Sequence, residues 1–187
     1  MSVESRAFLN LLREQIRGAV IEGQLLGELF DSNSPWTEFM LGSGQSRITD
    51  NYGILGKIGR LLGYKVQAEY LRVDQIWYSE TSSREEWSIE AFLEHENNVD
   101  RLPETVRKLL QLGPGLKVVI SYPKRADFQK RADEIGSVVA QRFGTLPETR
   151  ILLIFGFWES PSLYWQGFEI DGVGRVAPVG DAGTGTA

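Results

Sequence analysis

The chain has 187 residues, 42% of them hydrophobic and 24% charged, the size and make-up of about one globular domain with a single substantial core. It has no cysteine and one histidine, His95, which excludes disulfides, thiolate metal sites, cysteine nucleophiles and any site built on two histidines. A net charge of −5 excludes a broadly basic nucleic-acid-binding coat, and no run reaches the roughly 20 apolar residues of a membrane helix. The opening MSVESRAFLN lacks a signal-peptide pattern, so a cytoplasmic location without membrane contact is expected.

An amphipathic helix is expected from about Glu4 to Leu29, with Phe8, Leu12, Ile16, Ala19 and Val20 inward. Asp31 to Pro35 is a break, and Ser34-Pro35 is a good cap and first turn for a short helix through Trp36 to Leu41. A further helix from Thr49 to Leu62 turns Ile54, Leu55, Ile58, Leu61 and Leu62 inward and stops at Gly63. Tyr64 to Tyr78 is rich in β-branched and aromatic residues and reads as one long strand, or as two joined by a bend. Glu80 to Glu86 is turn-like, and Trp87 to Glu96 is the next strand.

A helix from about Leu102 to Leu112 follows, with Pro103 in its first turn and Leu102, Val106, Leu109 and Leu110 on one side. Leu116 to Tyr122 (LKVVISY) is a strand of the kind buried inside a sheet. The helix from Ala126 to Phe143 points Phe128, Ala132, Ile135, Val139 and Phe143 inward, and Ile151 to Trp158 is a second buried strand. Tyr164 to Ile170 and Val173 to Val179 can pair as a hairpin, while the tail from Gly180 has nothing to bury and is expected to be disordered. No repeat or linker divides the chain. The order implies one three-layer α/β domain over 1–179, with helices in 1–63 and a central mixed sheet flanked by helices in 64–179, followed by a tail over 180–187.

Acidic residues inside strand-like runs are costly unless something compensates them. Side chains alternate along a strand, so Glu94 and Glu96 share a face and His95 takes the other, while Asp74 lies with Ile76 and Tyr78. If the two strands are neighbours, Asp74 and Glu94 converge. Carboxylates gathered in a low-dielectric site repel unless a divalent cation joins them, and Mg²⁺ (or Mn²⁺) suits oxygen ligands and retained waters. Such a metal lowers the pKa of a bound water and stabilises charge on a phosphoryl group.

The order strand-Asp, turn, strand-Glu-x-Glu, amphipathic helix, buried strand, over about Thr49 to Tyr122, resembles the restriction-endonuclease-like PD-(D/E)xK nuclease superfamily. The resemblance implies that Asp74 and Glu94 bind the catalytic metal. Glu96 stands where that family usually has lysine, as in some type II restriction enzymes, and Val73 stands where it has proline. A lysine supplied from the following helix would be Lys108, and an added helical Glu would be Glu38, with Asp50 and Glu69 as competitors. The implied activity is metal-dependent hydrolysis of DNA phosphodiesters, with Asp74, Glu94, Glu96 and Lys108 as its machinery and a homodimer suited to cutting both strands. The alternative is an inactive member of that fold acting as a binding or assembly module.

Each residue also has a plainer reading. Asp74 pairs with Arg72 or Arg101; Glu94 and Glu96 form a solvated strand end; His95 is structural; Lys108 pairs with Glu104 four residues earlier. Lys124, Arg125, Lys130 and Arg131 form the clearest basic cluster, either a nucleic-acid phosphate contact or an ordinary solvated helix face. The five tryptophans suit a core as well as base stacking, and the glycines at 53, 56 and 59 do not match a phosphate-binding loop.

Overall fold

The computed structural model describes residues 3–21, 33–42, 52–80, 87–143, 149–159 and 162–180. Among the described residues, three helices come first: α1 Ser5–Ile21, α2 Asn33–Leu41 and α3 Gly53–Leu61. The hairpin β1 Lys65–Tyr70 and β2 Val73–Glu80 is followed by β3 Trp87–Glu96, α4 Leu102–Leu109, β4 Leu116–Ser121, α5 Phe128–Phe143, β5 Arg150–Glu159, β6 Ser162–Asp171 and β7 Val176–Val179. The strands form one seven-stranded mixed sheet in sequence order. The pairs β3–β4 and β4–β5 are parallel, and the others are antiparallel.

Two apolar clusters sandwich the sheet, which makes the architecture three layers. Beneath α1, α2 and α3, Phe8, Leu12, Trp36, Met40, Leu55 and Ile58 pack on Trp77, Leu93, Val118 and Ile154. On the other face, Val106 and Leu109 of α4 and Ala132 and Ile135 of α5 pack on Ile76, Phe92, Val119 and Leu153. Both parallel connections therefore place their helices on one face. The middle of the central strands, Val118 to Ile120 of β4 and Ile151 to Phe155 of β5, is apolar towards both sides because both sides are covered.

The expected elements are present with local corrections. Tyr64 to Tyr78 is two strands, joined by a two-residue turn at Leu71-Arg72. α2 begins at Asn33, ahead of the expected cap. Leu61 is exposed at 58%, because it ends α3 at the margin of its apolar stripe, whereas Ile54, Leu55 and Ile58 are buried as expected. The glycines of α3 serve packing: a Cβ at Gly59 would lie 2.7 Å from the Trp77 indole nitrogen, so only glycine lets the helix approach the sheet here. Expectations for residues 22–30, 43–50, 81–86 and the tail 181–187 lie outside the described residues. Among the described residues, no helix is long and apolar enough to cross a membrane.

Candidate active site

β2 and β3 are antiparallel neighbours, and their last paired residues towards this end are Gln75 and Leu93. Asp74 and Glu94 are one step further, so the register sets them side by side. A bulge at Glu90 shifts the pairing earlier in β3, where Trp77 faces Ala91 and Tyr78 faces Ile89. From Ala91 onward the alternation is clean. Phe92 and Glu94 point to the α4 and α5 side, and Leu93 and His95 to the α1–α3 side.

Asp74 is held by the backbone: its Oδ2 accepts the His95 N–H at 2.8 Å. It pairs with neither arginine side chain proposed for it, and the Arg101 guanidinium instead lies 3.9 Å from Glu104. Burial raises the Asp74 pKa, with the charges of Glu96 and Glu69 adding to the rise and the His95 N–H and Lys108 opposing it. Glu94 is 6% exposed, and its pKa is pushed up to about 7, first by burial and then by the charge of Asp74. Two adjacent carboxyls both held above their ordinary range are short of positive charge.

Lys108 supplies part of it. Its Nζ donates to Glu94 Oε1 at 2.7 Å and to the Arg72 carbonyl at 2.9 Å. The expected helical pair with Glu104 is not made, because α4 packs this side of its surface against β3. Thr105, one turn earlier, donates to Glu96 Oε2 at 3.0 Å, while the Asn98 N–H donates to Glu96 Oε1 at 2.9 Å. The strand positions Glu94 and Glu96 are thus clasped by the helix positions Lys108 and Thr105. Both carboxylate oxygens of Glu96 are committed to holding the start of α4, which gives this residue a structural task.

Of the candidates for a further acid, Glu69 on β1 bears electrostatically on Asp74. Glu38 is exposed on α2, in the layer across the sheet, and Asp50 lies outside the described residues. Among the described residues, no three acidic or histidine side chains form a group that could hold a metal ion. The pair Asp74–Glu94 nonetheless fits a divalent cation, since two desolvated carboxyls with raised pKa values are what such a cation would neutralise, with water filling its other positions.

The basic cluster is divided. Arg131 bonds Glu134 at 2.9 Å and Asp100 at 3.2 Å, and Arg125 lies 3.5 Å from Glu159 and over the Tyr164 ring. Lys124 and Lys130 are exposed, and among the described residues they make no ion pair.

Across the sheet, His95 Nε2 lies 2.7 Å from the Tyr122 hydroxyl. Trp36 and Trp165 pack against Tyr122, the three rings lying 6.0–6.5 Å from one another. Burial lowers the His95 pKa to about 4 and raises that of Tyr122, so both groups are neutral. His95 is structural here, as its strand parity suggested. Sequence reading missed Gln75, which is fully buried and donates to the carbonyls of Leu41 and Tyr52 at 2.9 and 2.8 Å, fastening α2 and α3 to β2 beside Asp74. It also missed the Arg72 carbonyl and Thr105. A polar residue within an apolar strand was the only signal for Gln75, and nothing marked the other two.

The fold and site define a three-layer α/β protein with a paired-carboxylate and lysine cluster at one end of a mixed sheet. No family model matches the chain, and no curated protein matches it.

Proposed function

We propose that the protein is a metal-dependent nuclease of the restriction-endonuclease-like fold, hydrolysing phosphodiesters of DNA. The observation that carries this reading is the convergence of Asp74, Glu94 and Lys108 from β2, β3 and α4 at one sheet end. Asp74 and Glu94 would hold Mg²⁺ or Mn²⁺; when bound, such a cation lowers the pKa of a water and stabilises charge on a phosphoryl oxygen. The His95 N–H orients Asp74 through Oδ2. Lys108, braced by the Arg72 carbonyl, would release Glu94 to the cation and orient the attacking water. Glu96 keeps α4, and hence Lys108, in register with β3. Cutting both strands would suit a homodimer, with DNA approaching Lys124 and Lys130.

The test is plasmid cleavage with Mg²⁺ or Mn²⁺. Cleavage by the native chain and a loss of at least about 100-fold in Asp74→Ala and Glu94→Ala are expected. Cleavage that survives both substitutions sinks the reading. One observation favours an inactive binding or assembly module instead: the Lys108 ammonium already neutralises Glu94 at 2.7 Å. That reading requires no Mn²⁺-dependent heat in calorimetry and no thermal shift.

A further inference from the structure

The turn that joins β1 to β2 is made of the wrong residues for its shape. Leu71 and Arg72 both have positive φ, 52° and 64°, between the paired residues Tyr70 and Val73. A two-residue hairpin loop with positive φ at both positions is the shape that Asn-Gly adopts without strain. A leucine and an arginine bear a steric penalty there, since their Cβ atoms crowd the backbone. The shoulder residue Glu69 also has positive φ, 52°.

Nothing within the described chain offsets that penalty. Leu71 is 58% exposed, so burial does not reward its side chain. Arg72 is exposed too, and among the described residues its guanidinium makes no ion pair. Only the Arg72 carbonyl is used, as the acceptor of the Lys108 ammonium, and any residue could supply that carbonyl. Strain retained for outward-facing side chains, two residues from Asp74, points to contact with something that approaches the same sheet end.

We propose that the Leu71-Arg72 turn is a DNA-contact prong. Leu71 would wedge against a base step of a duplex, and Arg72 would bind the adjacent phosphate, seating the backbone over Asp74 and Glu94. An exposed apolar side chain beside a guanidinium with no ion pair among the described residues suits the apolar faces of stacked bases at an opened step and the anionic phosphates that flank it. This inference rests on the nuclease reading for its substrate class.

The experiment compares the full-length chain with the double variant Leu71→Asn/Arg72→Gly, which keeps the turn and its carbonyl but removes the strain and both side chains. Binding of a fluorescent 20-base-pair duplex is followed by anisotropy in EDTA, where no metal-dependent cutting occurs. The variant is expected to melt about 2–4 °C higher, bind the duplex about 10-fold more weakly and lose about one unit of the log–log salt slope. Arg72→Lys should retain most of that slope. Unchanged binding in the double variant, no duplex binding by the native chain, or a lower melting temperature would each overturn the proposal. A chain that binds through this turn yet never cuts refutes the nuclease reading alone. A double variant that binds and cuts like the native chain refutes the prong alone.

Discussion

Glu94 and His95 are consecutive in β3, and the two faces of the sheet treat them in opposite ways. Under α1–α3, His95 is neutral and bonded to Tyr122, which is itself packed against Trp36 and Trp165. On the α4 side, buried Glu94 lies beside the half-buried carboxyl of Asp74, and the Lys108 ammonium bonds Glu94 alone of the two. The first region is arranged for stability: its polar groups are uncharged, and its aromatic area is removed from water. The second keeps an electrostatic deficit that packing alone would not select. Such deficits concentrate where a ligand supplies the missing charge.

The two faces differ most under substitution of one residue from each. Trp36→Ala should cost about 3–5 kcal/mol in urea unfolding, since it empties the centre of the aromatic cluster. Asp74→Asn should change stability by less than about 1 kcal/mol, or raise it, while abolishing metal-dependent cleavage. The amide oxygen can still accept the His95 N–H, and one of the two repelling charges is gone. Equal losses in the two variants would erase the distinction between the faces.

Smaller effects follow from removing one partner of each polar pair. Tyr122→Phe removes the 2.7 Å contact to the His95 ring and should cost about 1–3 kcal/mol. Lys108→Met leaves Glu94 with less compensation; because Lys108 is about one-third exposed, the loss should be about 1–2 kcal/mol, below that for a fully buried pair. Adding Glu94→Gln should restore most of the Lys108→Met loss, and no substitution at Glu94 should repair Tyr122→Phe. A double-mutant cycle in urea tests both statements.

The smallest effect is a pair of opposed pH slopes. Glu94 has its pKa raised from the ordinary 4.5 to about 7, so its contribution is fully present below 4.5 and lost as pH rises towards 7. His95 has its pKa lowered from 6.5 to about 4, so its contribution is present above 6.5 and lost as pH falls towards 4. Glu94→Gln should therefore melt at progressively higher temperature relative to the native chain between pH 4.5 and 7, by on the order of 1 kcal/mol in all. A gap that stays constant across that range would show that Glu94 titrates normally.

Most element positions were legible because period and punctuation act locally. Trp87 to Glu96 is the strand the sequence indicates, residue for residue. The helix α4, which ends at Leu109 rather than Leu112, buries Leu102, Val106 and Leu109 as expected, with Leu110 buried just past its end. Parity along β3 was enough to separate Glu94 from His95. The bend at Leu71-Arg72 was open between two readings, since nothing in those residue types favours a tight turn. Lys108 was harder still, because Glu104 and Glu94 are both reachable partners on sequence grounds, and only the docking of α4 on β3 selects one.

What the sequence determined by itself is therefore the set of strands and helices, the absence of thiolate and two-histidine chemistry, and the identity of the unusual carboxylates. These follow from residue type and short-range period. The tertiary structure alone decided that β2 and β3 are neighbours in the register that joins Asp74 to Glu94, that Glu96 serves α4, and that Lys108 turns to Glu94. Those outcomes depend on strand pairing and helix docking, which balance burial, charge and backbone geometry between residues far apart in the chain.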